Sequence, residues 1–271
     1  MKKLSLSYVQ GRLSKKVGDK FQYFPIDNWQ NEFYLANKIG FKNIEWIVSD
    51  LSNPILNHYS SLEIRKILKK NKINISSLSL DLIMDKPLHL WAKANLEWLM
   101  KILDIASKTH GIKRINVPCE EQSRFFNHEN LLKFKKNLKL ILKILNNKTC
   151  VSLESDFSPK NINHLLKSIK SKNLGINLDL GNIEANGYEI KDFFNLLSKK
   201  IFGIHIKERK ILFGSTKKLS VNNNIKFLFS NIERLPNLRD LTLQTYRSKN
   251  NYVKELKNNY KLIKNLIKNY D

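Results

Sequence analysis

The chain has 271 residues, with 48 lysines and arginines against 24 aspartates and glutamates, a formal net charge of +24, and only two cysteines. This length fits one large domain or two small ones, and such a chain can bury a sizeable hydrophobic core. Cys119 and Cys150 stand alone, which argues against a disulfide framework and a structural zinc site. The start of the chain is too polar for a signal peptide, and no run of about 18 apolar residues could span a membrane. We therefore expect a cytoplasmic globular protein.

The lysines are spread along almost every helical segment and do not form one patch. A focused basic patch would indicate nucleic acid or an anionic surface as the partner. An even spread indicates a compositional drift of the whole chain, so nucleic acid is disfavoured. A small phosphorylated molecule is a better match to this charge, and a homo-oligomer is left open.

Eight β-rich segments alternate with eight segments of helical periodicity, without a linker between them. This alternation predicts a single (β/α)8 TIM barrel domain over residues 1–271. A doubly wound open sheet is the competing fold, but the sequence has neither a G-x-G-x-x-G motif nor a P-loop. In chain order, the predicted strand and helix pairs are about 3–9 with 28–39, 43–48 with 60–70, 73–80 with 92–109, 113–117 with 128–146, 148–154 with 159–170, 174–180 with 189–198, 201–207 with 224–232, and 240–246 with 252–270.

Polar and apolar residues alternate in several predicted strands, so each strand has one polar face. In the fifth strand, Val151 and Leu153 alternate with Ser152 and Glu154. The apolar face must lie under the helices, because that interface is the larger hydrophobic one. The polar face then lines a barrel interior that Val, Ile and Leu normally fill, and burying charges there is costly unless they are paired or bind a ligand. This pattern predicts a functional site at the carboxyl ends of the strands.

Four polar residues lie at the ends of consecutive predicted strands: Glu154, Asp179, His205 and Gln244. Neighbouring strands are about 5 Å apart, so these side chains can converge on one ion. Two carboxylates, an imidazole and an amide oxygen favour Mn, Mg, Co or Zn. The alternative is a salt-bridged polar plug completed by Lys207.

The motifs that contain these residues resemble the xylose-isomerase-like barrel superfamily of sugar phosphate isomerases and epimerases. The resemblance extends over nearly the whole chain, and the stretch from Asp179 to Gly187 is similar to the ketopentose-phosphate 3-epimerase branch. The motifs are Leu153-Glu154, Asp179-Leu180-Gly181-Asn182, His205-Ile206-Lys207-Glu208 and Leu243-Gln244-Thr245-Tyr246-Arg247.

The resemblance implies a divalent metal held by Glu154, Asp179, His205 and the residue that ends strand eight. It implies a ketose or ketose phosphate as substrate, with Glu154 removing the proton next to its carbonyl and with His205 and Lys207 as further catalytic residues. Gln244 replaces the second glutamate of the epimerases, and an amide accepts no proton at neutral pH. Isomerisation on one face needs one base, whereas epimerisation would need a substitute, for which Asp81 or Glu45 is the expected residue.

Five residues are predicted to contact or orient the substrate: Glu45, Asp81, Asn182, Arg209 and Arg247. Lys207, Arg209 and Arg247 lie just after strands seven and eight, where barrels commonly bind phosphate, but lysine and arginine are so abundant here that chance placement is an equal alternative. Two other functions stay open. One is a catalytically reduced barrel that binds a sugar without turnover, which Gln244 favours. The other is an endonuclease-like DNA-binding barrel, which is disfavoured because five of the six histidines lie away from strand ends.

Overall fold

Eight parallel strands form the centre of the molecule. The computed structural model describes residues 6–16, 18, 20–145, 149–210 and 215–270. The strands close into a barrel in the order β1-β10-β7-β6-β5-β4-β3-β2, which confirms the predicted TIM barrel. A short antiparallel hairpin, β8–β9, lies outside the barrel sheet. The strands are β1 (Leu6–Val9), β2 (Asn43–Ile47), β3 (Asn74–Ser79), β4 (Arg114–Cys119), β5 (Cys150–Ser155), β6 (Leu174–Asp179), β7 (Ile201–Ile206), β8 (Glu208–Arg209), β9 (Thr216–Lys217) and β10 (Asp240–Leu243).

Helices follow the barrel strands, as the alternation predicts. Glycine at Gly40 and Gly111 adopts the left-handed conformation that ends a helix, with φ of 111° and 71°. Ser158 accepts a hydrogen bond from the backbone N–H of Asn161 at the start of its helix. The helices are α1 (Trp29–Ile39), α2 (Ser61–Asn71), α3 (Leu82–Asp85), α4 (Lys93–His110), α5 (His128–Ile144), α6 (Pro159–Ile169), α7 (Leu180–Ala185), α8 (Ile190–Leu197), α9 (Asn223–Ser230) and α10 (Tyr252–Tyr270).

Among the α-helices and strands given above, α3, α7 and the β8–β9 hairpin were not predicted. Each helix or strand among them has six residues or fewer, and so short a segment shows no recognisable hydrophobic periodicity. The eighth barrel strand, β10, ends at Leu243 rather than at 246, so Gln244 lies just after it. Predicted positions 3–5, 146 and 148 lie outside the described residues.

Apolar side chains of the strands fill the layer between barrel and helices. Val151, Leu153, Ile204 and Ile206 are fully buried there and belong to one continuous core. Each such side chain contributes about 1.5–3 kcal/mol on burial. Within the described part of the chain, no helix is long and apolar enough to cross a membrane.

A buried arginine occupies the barrel interior, where the polar faces of the strands meet. Arg114 of β4 is fully buried and donates two hydrogen bonds to Asp240 of β10, at 2.6 and 3.1 Å. It also donates to Ser152 Oγ at 2.9 Å and to Glu45 Oε2 at 3.0 Å. A side chain at Gly203 would lie 2.6 Å from the guanidinium carbon, so glycine is required opposite Arg114. This network supports the residues at the strand ends from below.

Candidate functional site

Three polar side chains meet at the carboxyl ends of β5, β6 and β7. One ligand atom from each of Glu154, Asp179 and His205 lies within 4.8 Å of the other two, and all three residues are buried. His205 Nδ1 lies 3.0 Å from Glu154 Oε1 and 3.7 Å from Asp179 Oδ2. The arrangement arises because Asp179 and His205 are paired in register on neighbouring strands. The structure thus brings together three of the four residues predicted to converge.

Glu45 of β2 lies below this cluster and holds the imidazole. Its Oε1 lies 2.7 Å from His205 Nε2, and its Oε2 accepts hydrogen bonds from Arg114 and Ser77. Burial alone would lower the pKa of His205, but Glu154 and Glu45 outweigh burial and raise that pKa well above its ordinary value. Glu45 is fully buried and does not line the cavity, so a direct substrate contact does not fit its position. An orienting role does fit.

Lys207 follows β7 and forms an ion pair with Asp179. Its Nζ lies 2.8 Å from Asp179 Oδ2, while Asp179 Oδ1 accepts a hydrogen bond from the backbone N–H of Asn182. Burial alone would raise the pKa of Asp179, but Lys207 and His205 outweigh burial and hold it well below its usual range. A Cβ at Gly181 would lie 2.6 Å from Lys207 Cγ, so glycine makes room for this lysine. The pair is the contact that the polar-plug alternative requires.

A short chain of amides fixes the orientation of Gln244. Gln244 Nε2 donates to Gln22 Oε1 at 3.0 Å, and Gln22 Nε2 donates to Asp81 Oδ2 at 2.6 Å. Arg12 also donates to Gln22 Oε1, at 3.4 Å. Because arginine can only donate and a carboxylate accepts, the amide of Gln22 can have only one orientation. Gln244 must therefore present its nitrogen to Gln22, which leaves its Oε1 buried and without a hydrogen-bond partner among the residues that the structure describes.

A cavity of about 520 Å³ opens above the cluster. Its wall combines residues from the loop after β1 with residues that follow the strand ends. Its size and polar wall suit a small hydroxylated molecule. Six polar residues among those that line it are Gln22, Asp81, Glu120, Glu154, Lys207 and Gln244.

Glu120 is an acidic residue of the cavity that the sequence pattern did not predict. It directly follows β4 and lines the cavity, and its Oε2 accepts a hydrogen bond from Asn182 Nδ2. Burial, together with the charge of Glu154, raises the pKa of Glu120 to about 8. The predicted fourth strand stopped at 117, whereas β4 continues through Pro118 to Cys119. An acidic residue directly after the strand was the available signal, and the early boundary hid it.

The remaining predicted substrate residues differ in position. Asp81 and Arg209 line the cavity, and burial raises the pKa of Asp81 to about 7. Asn182 does not line the cavity; it lies between Glu120 and Arg209, whose Nη1 donates to its Oδ1 at 3.1 Å. Arg247 also does not line it and donates to the backbone carbonyls of Gly11 and Phe21. Arg247 thus holds the first loop, and a phosphate contact does not fit that position.

The donor atoms of the cluster suit a divalent cation. Among the described residues, Gln244 Oε1 is buried without a hydrogen-bond partner, and Asp179 Oδ2 is buried with Lys207 Nζ 2.8 Å away. Leaving the Gln244 oxygen unsatisfied costs about 1–3 kcal/mol, whereas the ion pair with Lys207 compensates Asp179. Carboxylate and amide oxygens with one imidazole nitrogen form a donor set that binds Mg, Mn, Co or Zn.

The fold and this cluster define a class: an α/β barrel with carboxylates and an imidazole at the carboxyl ends of its strands. A family model described as xylose isomerase-like TIM barrel matches residues 33–234. The chain belongs to this family, which confirms the resemblance drawn from its motifs. No curated protein sequence matches the chain significantly.

Solved structures agree with the fold at low sequence identity. The IOLI protein with a bound zinc atom is 16% identical, with a TM-score of 0.75 over 99% of both chains. A xylose isomerase-like TIM barrel protein from Mycobacterium smegmatis in complex with magnesium is 14% identical, with a TM-score of 0.72 over 99% of this chain and 97% of that one. D-allulose 3-epimerase from Methylomonas sp. is 11% identical, with a TM-score of 0.69 over 97% of this chain and 98% of that one. At these identities the likeness establishes the fold alone.

Proposed function

We propose that the protein is a metal-dependent sugar isomerase or epimerase that moves a proton at the carbon next to the carbonyl of a ketose or ketose phosphate. The convergence of Glu154, Asp179 and His205 below a polar cavity is the observation that carries this proposal. The zinc-bound and magnesium-bound barrels and the D-allulose 3-epimerase of the same fold support it.

The metal would be held by Glu154, Asp179 and His205, with Gln244 Oε1 as a neutral fourth ligand. When bound, a divalent metal polarises the carbonyl of the substrate and makes the neighbouring C–H more acidic. Gln244 supplies one negative charge less than a glutamate would, so we expect weaker metal binding than a set with a third carboxylate would give.

Glu154 is the proposed base. Its Oε2 accepts hydrogen bonds from the amides of Asn116 and Asn177, at 2.5 and 3.2 Å, so the carboxylate is held in one orientation at the cavity floor. Lys207 lies at the same wall and keeps a positive charge near the oxygen that becomes negative as the proton leaves. His205 is held from behind by Glu45.

Epimerisation needs a second proton-transfer group on the opposite face of the intermediate. Asp81 is the better of the two expected substitutes, because it lines the cavity whereas Glu45 does not. It is joined through Gln22 to Gln244, the position of the missing glutamate. Its pKa of about 7 is near neutral, where a group can both accept and donate a proton.

The test is a metal analysis combined with a screen for solvent deuterium entering pentuloses, hexuloses and their phosphates. We expect a bound divalent metal and deuterium at a carbon next to the carbonyl. Glu154→Gln should abolish exchange while keeping the thermal unfolding midpoint, and Glu233→Gln, an exposed glutamate far from the cluster, should change neither. Unchanged exchange in Glu154→Gln would mean that another group is the base.

A sugar-binding barrel without turnover is the second candidate. Gln244 and the ion pair of Lys207 with Asp179 favour it, because both reduce the negative charge offered to a metal. Purified protein without metal, together with no deuterium incorporation, would support this candidate. The endonuclease alternative is not proposed, since His205 is the one histidine of the six in the cluster. A cytoplasmic location is part of the proposal and is supported by two buried, free cysteines.

A further inference from the structure

The wall of the cavity is acidic although the chain carries a net charge of +24. Of the residues that the structure describes, three cations and five carboxylates line it. The cations are Lys20, Lys207 and Arg209, and the carboxylates are Asp81, Asp85, Glu120, Glu121 and Glu154. The charge presented to a ligand is therefore opposite in sign to the charge of the whole protein.

Each of the three cations is already engaged by a carboxylate. Lys20 Nζ lies 3.3 Å from Asp85, and Arg209 Nη2 lies 3.0 Å from Glu121. Lys207 Nζ lies 2.8 Å from Asp179 Oδ2, behind the wall. A phosphate group that bound to any of these cations would have to displace its carboxylate or share the cation with it.

Two carboxylates of the wall are left without a cation. Among the residues that the structure describes, neither Asp81 nor Glu120 has an ion-pair partner within 4.0 Å. Asp81 accepts hydrogen bonds from Ser79 Oγ at 2.7 Å and from Gln22, and Glu120 accepts one from Asn182. These donors are neutral, so they do not offset the negative charge of either group when it is ionised. The pKa of each is raised, first by burial and then by nearby carboxylates, as expected where further negative charge is disfavoured.

The hydrogen-bonding groups of this wall match sugar hydroxyls. Carboxylate oxygens accept hydrogen bonds from O–H groups, and charge-assisted bonds of this kind are the stronger ones. Gln244 adds a buried carbonyl oxygen, which accepts no hydrogen bond from the described part of the chain. Arg247, which a phosphate could otherwise use, donates to the backbone carbonyls of Gly11 and Phe21.

We infer that the cavity binds an uncharged polyhydroxy ketone in preference to its phosphate ester, with Asp81 and Glu120 as the residues that determine this selectivity. The inference rests on the proposed function, which names a ketose or a ketose phosphate as the substrate. Of these two classes it selects the unphosphorylated ketose. Where both groups are ionised, which their pKa values of about 7 and 8 place above about pH 8, the charge of the ester and the charges of these carboxylates repel one another in a site of low dielectric.

The test is a binding measurement by isothermal titration calorimetry on the Mn²⁺-loaded protein at about pH 8.5, where Asp81 and Glu120 are mostly ionised. The ligands are D-fructose against D-fructose 6-phosphate, D-ribulose against D-ribulose 5-phosphate, and inorganic phosphate alone. We expect at least one uncharged ketose to bind about tenfold or more tightly than its ester, a difference of about 1.4 kcal/mol. Asp81→Asn and Glu120→Gln should each reduce this ratio, whereas Glu233→Gln should leave it unchanged.

Equal or tighter binding of the esters would overturn the inference, as would failure of every uncharged ketose to bind. An unchanged ratio in both cavity variants would overturn the assignment of selectivity to Asp81 and Glu120. Binding of an uncharged ketose without deuterium exchange would support the inference and contradict the proposed function. Exchange confined to phosphate esters would support the proposed function and contradict the inference.

Discussion

Replacing Arg114 with methionine should destabilise the protein strongly. The guanidinium is fully buried and bridges two buried carboxylates, Glu45 at 3.0 Å and Asp240 at 2.6 Å. Methionine has a similar length but no donors, so Asp240 would lose its ion pair and Glu45 would keep only the one with His205. Removing one partner of a buried ion pair costs about 3–5 kcal/mol. Because Arg114 serves two carboxylates, we expect about 5 kcal/mol, a large share of the roughly 5–15 kcal/mol that stabilises a typical domain.

Urea unfolding followed by circular dichroism measures this loss, and thermal unfolding provides a second readout. For a chain of this size, about 5 kcal/mol corresponds to a midpoint lowered by about 10–20 °C. Lys113→Met is the matched control: it removes one positive charge from the preceding residue, which is exposed, and should change stability by less than about 0.5 kcal/mol. A loss below about 1 kcal/mol in Arg114→Met would refute the view that this arginine holds the interior together.

Three further changes test other parts of the structure. Gly181→Ala should displace Lys207 from Asp179 and lower the rate of deuterium exchange about tenfold, while the circular dichroism spectrum stays unchanged. An exchange rate equal to that of the unaltered protein would mean that the position of Lys207 is unimportant. Gln22→Ala should weaken metal binding about tenfold in a chelator competition, because Gln244 loses the contact that orients it. The control Gln30→Ala, on the exposed face of α1, should leave metal binding unchanged. Burial raises the pKa of Glu32 from 4.5 to about 7, so the stability that this group contributes should be fully present below about pH 4.5 and lost as the pH rises through 7. At about 1.4 kcal/mol per pKa unit this contribution is about 3 kcal/mol, and Asp81 and Glu120 add falls of their own. In urea unfolding at about pH 5 and pH 8, Glu32→Gln should therefore show a fall smaller by about that amount; an unchanged fall would contradict the assignment.

The barrel and the three clustered residues could be predicted because they follow from patterns that repeat. Strand and helix periods alternate eight times, and the polar face of each strand points into the barrel, so residues at the strand ends must approach one another. Glu154, Asp179 and His205 follow from this reasoning without any knowledge of side-chain positions.

The contacts that cross the barrel could not be predicted in the same way. Arg114 contacts Asp240, which is 126 residues away in the chain, and no local pattern links the two. Arg247 was placed beside the substrate because it follows the last strand, but its side chain turns to the first loop. The position of a long side chain depends on which carbonyl or carboxylate lies within its reach. Which of these partners lies within reach is determined only once the loops have folded.

The orientation of Gln244 illustrates the same limit. The sequence shows that an amide replaces an acid, but not which end of the amide faces the site. The answer depends on Gln22 and Arg12, from a loop more than two hundred residues earlier in the chain.

The most direct test of the central claim is a crystal structure of the protein grown with Mn²⁺, with the ion located by its anomalous scattering. We predict one strong peak coordinated by Glu154, Asp179 and His205, with Gln244 Oε1 directed towards it. No peak among these residues at saturating Mn²⁺, with Lys207 still paired to Asp179, would contradict the proposed metal site and the proton transfer that depends on it.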